Sequence, residues 1–280
     1  MSQIDSQLIG KACRAIMQAD SLVIGAGAGM GVDSGLPDFR GQTGFWRAYP
    51  ALAEVGLEFT EIANPMAFNM SPKLAWGFYG HRLNLYRRTQ PHPGFQILKN
   101  IGQKMAKSYQ VFTSNVDGQF QRAGFQESKI YECHGSINLL QCSQNCGSGI
   151  WTAANLSVTT DDVGCLLTSE LPLCPDCGEV ARPNILMFDD FNWNSEHVDV
   201  QGRRMRNNIE SMKSPVIIEC GAGKSVPTVR RFCESVNGTL IRINPRDADL
   251  PEGRGISLAC GAFEGLDLIN RSLSTLGFFA

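Results

Sequence analysis

Gly25, Gly27, Gly29 and Gly31 occupy every second position directly after the short apolar run Ser21 to Ile24. A strand that runs out into residues lacking Cβ atoms makes a tight turn, and its backbone N–H groups can come close to an anion, a phosphate above all. That places the chain among α/β folds in which a nucleotide is the first ligand to consider. The dinucleotide fingerprint of hydride-transfer enzymes, G-x-G-x-x-G, is not met. Met30 stands at its sixth position when counted from Gly25, and Val32 when counted from Gly27. Read alone, the glycines also fit a plain tight turn.

Further short apolar runs recur at Tyr109 to Thr113, Lys129 to Cys133, Val216 to Cys220 and Thr239 to Ile243. Helical patterns over Gln7 to Met17, Pro72 to Arg88, Gly94 to Met105, Glu196 to Met212, Val226 to Val236 and Phe263 to Leu276 separate most of them. The alternation predicts a Rossmann-like parallel sheet covered by helices, built from residues 1–40, 89–138 and 183–280. Residues 41–88 and 139–182 interrupt it and are expected to form a smaller inserted domain, part helical and part zinc ribbon. With 280 residues of which 43% are hydrophobic, the chain can bury a sizeable core. Lysine and arginine number 25 against 27 acidic residues, so no charge excess points to direct nucleic-acid binding. No apolar run reaches the 18 residues a membrane span requires, and Met1 to Asp20, with Lys11 and Arg14, reads as an amphipathic helix rather than an export signal. A cytoplasmic protein with reduced cysteines is expected.

The ten cysteines are not evenly used. Cys142 and Cys146 form a C-x3-C pair and Cys174 and Cys177 a C-x2-C pair, with 27 residues between them. Four thiolates on two such turns satisfy a tetrahedral zinc ion and leave no open position, which makes a structural metal. Cys165 lies between the pairs as a competing ligand, whereas Cys13, Cys133, Cys220, Cys233 and Cys260 read as small core residues.

The stretch Gly27-Ala28-Gly29-Met30-Gly31-Val32-Asp33-Ser34-Gly35-Leu36-Pro37-Asp38-Phe39-Arg40-Gly41 resembles the signature of the sirtuin (Sir2-type) family, and Gly44-Phe45-Trp46-Arg47 is similar to that family's mobile cofactor-binding loop. Thr113-Ser114-Asn115-Val116-Asp117-Gly118 resembles its T-Q-N-I/V-D-G block, Cys133-His134-Gly135 its catalytic histidine-glycine pair, and Arg182 to Asp190 its substrate-pairing strand. Near the end, Gly221-Ala222-Gly223 resembles the family's G-T-S, and Ile243-Asn244 its I-N. The resemblance runs from about Leu22 to Ala262. It implies NAD as a consumed co-substrate and one structural zinc.

By those roles Gly27, Ala28, Gly29, Asp38, Phe39, Arg40, Trp46, Ser114, Gly221, Ala222, Gly223, Asn244 and Ala262 would bind NAD. Asn115 would orient the ribose, Asp117 would hold the nicotinamide carboxamide, and His134 would be the base, an imidazole being able to accept a proton near neutral pH. Leu186 and Phe188 would line the substrate peptide. Tyr79 and Arg82, spaced i, i+3 on one helix side, match the Y-x-x-R of members that accept acidic acyl groups.

The implied activity is NAD-dependent removal of acyl groups from lysines of protein substrates. Acetyl is the first expectation, with succinyl or malonyl beside it, and the acyl group ends on ADP-ribose as nicotinamide leaves. Ser114 stands where the family carries glutamine, and Gly31 where it carries serine. These replacements keep ADP-ribosyl transfer or NAD hydrolysis on the same fold as the alternative. Asp189 stands where the family carries glycine, so its carboxylate is expected to narrow the peptide site.

Overall fold

The computed structural model describes residues 5–37 and 41–280. In chain order the strands are β1 (Ser21–Ala26), β2 (Tyr109–Thr113), β3 (Ile130–Glu132), β4 (Gly135–Cys142), β5 (Ile150–Thr152), β6 (Thr160–Asp161), β7 (Leu166–Leu167), β8 (Ala181–Ile185), β9 (Pro215–Cys220), β10 (Thr239–Ile243) and β11 (Ile256–Leu258). Six of them make one all-parallel sheet in the order β11-β10-β9-β1-β2-β3.

Both faces of this sheet are covered, which is why its strands read as unbroken Val, Ile and Leu runs rather than as alternating patterns. Successive side chains still point to opposite faces. Leu22 and Ile24 join one core cluster, with Ile16, Leu98 and Leu266 from the helices Ser6–Gln18, Pro93–Lys104 and Ala262–Thr275. Val23 joins the opposite cluster, with Met205 and Val229 from Glu196–Glu210 and Thr228–Ser235. The edge strand β11 has only three residues and leaves no periodic mark in the sequence. The helix expected from Val226 begins at Thr228, because Pro227, at its N-cap, disfavours helical backbone at the preceding Val226.

Between β3 and β9 the chain leaves the main sheet. Strands β4, β5 and β8 form an antiparallel sheet in the order β5-β4-β8, and β6 with β7 forms a small hairpin. This sheet shares a core with the helix Pro72–Arg88 and with short helices between Gly41 and Met70, two of them started by Pro50 and Pro65. Phe45, Phe68, Trp76, Phe78 and Tyr79 fill it as an aromatic cluster, edge-to-face for Phe45–Phe78 and Phe68–Trp76 and stacked for Phe68–Tyr79. Gly77 is obligatory there, since a Cβ would overlap the backbone of Cys165 and Leu166.

Candidate functional site

The register of the parallel sheet brings four strand ends to one level. Ala26 lies opposite Thr113 on one side and Cys220 on the other, and Cys220 lies opposite Ile243. Gly27, Ser114, Gly221 and Asn244 therefore leave the sheet along the same edge. The order in which strands are added reverses between β1 and β9, and crevices at such switch points are where α/β sheets bind ligands.

The glycines at this crevice serve a purpose the sequence did not reveal. The N–H of Gly27 donates to the carbonyl of Cys220 and that of Gly29 to the carbonyl of Gly221, both at 3.0 Å. These two amides are spent on holding the β1 and β9 loops together, not on an anion. A Cβ on Gly29 would lie 2.7 Å from the Gly221 Cα, and one on Gly221, whose φ is +64°, would overlap the backbone of Gly29 and Met30. Glycine is thus required for loop-on-loop contact, and the nucleotide cradle is what that contact leaves open. Gly221→Ala combines left-handed strain with backbone overlap and is expected to cost about 2–4 kcal/mol of unfolding free energy. A urea titration checks this.

A cavity of about 640 Å³ opens from the crevice, in the range typical of small-molecule sites. Gly27, Ala28, Ser114, Asn115, Asp117, Gly221, Ala222 and Gly223 line its sheet side. Tyr79 and Arg82 line it from the helix Pro72–Arg88, Ile185, Leu186 and Phe188 from the end of β8 and the segment after it, and His134 also reaches it.

Asn115 is fixed by two hydrogen bonds, from its N–H to Thr113 Oγ1 and from its Nδ2 to the carbonyl of Gly27, both at 3.0 Å. Among the described residues no group donates to its side-chain oxygen, which is left for a ligand. Asp117 caps the next short helix, accepting from the N–H of Gln119 at 2.9 Å. Burial pushes its carboxyl up to about 6, against the pull of the Gln119 amide and the Arg82 charge. Behind it Glu132 is buried and pushed up to about 8 by burial and by the charge of Asp117. His134 follows β3 and is half-buried; burial lowers its pKa, so the ring is neutral at pH 7 and able to accept a proton. Its ring makes no hydrogen bond among the described residues, while its backbone carbonyl accepts from Leu186 N–H at 2.9 Å.

The Asp117 shift carries a stability consequence. A carboxyl with a raised folded pKa holds its proton more tightly when folded, so it favours the folded state in acid and opposes it increasingly as pH rises from 3.8 through about 6. Asp117→Asn is therefore expected to stabilise the protein by about 1–2 kcal/mol at pH 8, with the gain vanishing below pH 4, although it removes a cavity carboxylate. Urea melts at the two pH values measure the difference.

Leu186 and Phe188 are 39% and 37% exposed at the cavity mouth. They do not continue β8 as an open strand. The N–H groups of Leu186, Met187 and Phe188 go to His134 O, Asp190 Oδ2 and Ala63 O, so this segment has only carbonyls to offer a peptide. A bidentate, fully buried ion pair, Arg182 with Asp190 at 2.8 Å for both contacts, anchors the turn. Asp189 adopts φ +52°, which explains why glycine suits that position. Its side chain is exposed and does not line the cavity, contrary to the expectation that it narrows the peptide site.

Other expected ligand residues lie apart from the cavity. Trp46 donates its indole N–H to Leu57 O at 2.9 Å and packs on the core of the smaller module. Asn244 donates to Ala222 O at 2.8 Å and accepts from the N–H groups of Arg246 and Asp247, tying the β9 and β10 loops together. Ala262 is buried at the start of the last helix. Asp38, Phe39 and Arg40 fall outside the described residues. The sequence did not single out Tyr86, Lys224 or Arg246, which also line the cavity. Tyr86 carries a legible signal, lying seven residues after Tyr79 on the same helix.

Cys142, Cys146, Cys174 and Cys177 come together with all four sulfurs within 4.8 Å of one another. The pairs Cys142–Cys177 and Cys146–Cys174 are 3.6 Å apart. Four sulfurs at ~2.3 Å from one zinc would be separated by about 3.8 Å, so the cluster fits the ion. Cys165 is no ligand: it is buried in the hydrophobic core against the helix carrying Gly77.

A nucleotide-sized crevice at the switch point of a parallel sheet, roofed by a module that a four-thiolate site fits, defines an α/β nucleotide-binding protein with a metal-stapled insertion. The model of the Sir2 family matches residues 27–236, and the chain belongs to that family. An NAD-dependent protein deacylase of Pyrococcus furiosus is 32% identical over 183 residues, spanning 65% of this chain and 66% of that protein. NAD-dependent protein deacylase 1 of Archaeoglobus fulgidus is 29% identical over 267 residues, 93% of this chain and 96% of that protein. A solved structure of a Sir2 homologue in complex with NAD superposes with a TM-score of 0.68 at 25% identity, covering 98% of this chain and 96% of that one.

Proposed function

We propose that this chain is an NAD-dependent protein lysine deacylase. One observation carries the reading: Asn115, Asp117 and His134, contributed by two strand ends, all line the same cavity, where burial keeps the imidazole neutral. NAD, when bound, would supply a ribose carbon made electrophilic by its nicotinamide leaving group, open to attack by the acyl oxygen of the substrate, and a ribose hydroxyl on which the acyl group ends. Around it the protein's own groups have distinct tasks. The β1 and β9 loops shape the nucleotide cradle, Asn115 offers its amide oxygen to a ribose hydroxyl, and Asp117 accepts from the nicotinamide carboxamide. His134 draws a proton from a hydroxyl of the bound sugar through whichever ring nitrogen is unprotonated. Leu186 and Phe188 flank the entering lysine.

The division of the chain fits this reading. We place the smaller unit at residues 41–88 and 139–182 and the larger at 1–40, 89–138 and 183–280, with β4 and β8 crossing from one to the other, and substrate enters at their junction. The curated relatives named as NAD-dependent protein deacylases support the activity. Ten free cysteines suit a reducing compartment such as the cytoplasm, and no helix among the described residues is long and apolar enough to cross a membrane.

Incubation with NAD and an acetyl-lysine peptide, followed by mass spectrometry, tests the proposal. Free lysine peptide together with acyl-ADP-ribose is the expected outcome. ADP-ribose beside an unchanged peptide, or label transferred to protein, would instead support NAD hydrolysis or ADP-ribosyl transfer, the reading that Ser114 keeps open.

A further inference from the structure

Gly27 and Gly29 have no amide hydrogen left for an anion, and Gly31 and Gly223 bring no side-chain hydroxyl to the crevice. The loop after β9 is differently placed. Ala222, Gly223, Lys224 and Ser225 all line the cavity, and none of their four N–H groups donates a hydrogen bond among the described residues. Ala222 is only 1% exposed. A buried N–H without an acceptor is rare in a folded chain, and several in succession make a concavity suited to an anion.

Lys224 adds a full positive charge to the same loop. Its Nζ pairs with Asp249 Oδ1 at 2.8 Å, and the two side chains are 56% and 59% exposed. An ion pair so open to water is weak and easily exchanged. Asp249 is the fixed half of it, because Arg230 donates to its backbone carbonyl at 3.0 Å and Arg242 donates to that carbonyl as well. Lysine is the movable half: its flexible four-carbon stem lets the ammonium leave one oxygen for another while the backbone stays in place.

We propose that Lys224 trades partners when the dinucleotide binds, leaving Asp249 for a phosphate that the unspent amides of Ala222 to Ser225 also receive. The proposal rests on the NAD-dependent reading and deepens it, naming the loop that neutralises the phosphates and the carboxylate that competes for its charge. Asp249 is then an internal competitor: part of the affinity for the ligand is used to break its pair with Lys224. The β1 loop, whose glycines look like the anion donors, supplies shape instead.

Calorimetric titration with ADP-ribose and with adenosine, at low and high salt, tests this, with thermal melts to follow the fold. Lys224→Met should weaken ADP-ribose about tenfold or more and leave adenosine within about twofold, since only the former carries phosphate. Its ADP-ribose affinity should also fall less with added salt than that of wild type. Lys224→Arg keeps the charge and should recover most of the affinity. Asp249→Asn keeps the backbone carbonyl but removes the competing charge, and should tighten ADP-ribose about two- to fivefold. Equal ADP-ribose affinities of wild type and Lys224→Met would overturn the proposal. So would an equal loss of adenosine in that variant, or an Asp249→Asn that binds no tighter. Any of these beside normal release of acyl-ADP-ribose from NAD and an acetyl-lysine peptide leaves the deacylase reading standing. A wild type that binds neither ADP-ribose nor NAD removes both.

Discussion

His134→Ala is expected to reduce deacylation by about 100- to 10,000-fold, the usual contribution of a positioned general base. The ring is half-buried and makes no hydrogen bond among the described residues, so the protein should lose only about 1 kcal/mol of stability with it. The rate loss therefore separates from unfolding. In wild type the acid limb of kcat/KM should lie below the 6.5 of an unperturbed histidine, because burial disfavours the imidazolium and the base form persists into weak acid. Asp117 titrates at about 6 and adds to the same limb. Comparing profiles of wild type and Asp117→Asn isolates the histidine. A variant lacking the imidazole that still deacylates at the full rate would dismiss His134 as the base.

That Asn115, Asp117 and His134 meet at one cavity is readable in the sequence for a physical reason. Each directly follows a strand of a parallel sheet, and apolar strands stand out in sequence while their carboxyl ends are where such sheets place ligands. The four zinc-pattern cysteines were equally plain, since two short-spaced pairs bring four sulfurs together once the two turns meet. What could not be read was how backbone groups are spent. Gly27 and Gly29 look like anion donors until the structure shows their N–H groups bonded to Cys220 and Gly221. Asn244 resembles a ribose ligand, yet its amide holds three backbone groups of neighbouring loops. Asp189 looked like an obstruction, and its left-handed backbone turns out to be what a glycine there would serve. Strand β11 and the proline-started helices before Met70 span too few residues for a period to register.

Removing the metal from the cysteine site should be the most damaging single change after loss of the base, and the damage should reach the cavity. Cys142 closes β4 and lies opposite Ala181 of β8. The carbonyl of Ala181 accepts the indole N–H of Trp76 at 2.7 Å, and Trp76 sits one turn before Tyr79 on the helix that also bears Arg82 and Tyr86. At its other end β8 runs into Ile185 and Leu186, which line the cavity. Four thiolates without their ion would repel one another or take up protons, and the turn carrying Cys142 and Cys146 would lose the bonds that tie it to the turn carrying Cys174 and Cys177. Chelation, or Cys174→Ser, is therefore expected to cost about 5 kcal/mol or more, lowering Tm by about 10–20 °C. Trp76 emission should shift to the red as the indole loses its buried acceptor, before the parallel sheet unfolds. Native mass spectrometry should find one zinc per chain in the untreated protein. A metal-free protein with unchanged Tm and Trp76 emission would show that the module stands without the ion, and that the path from Cys142 to Arg82 does not depend on it.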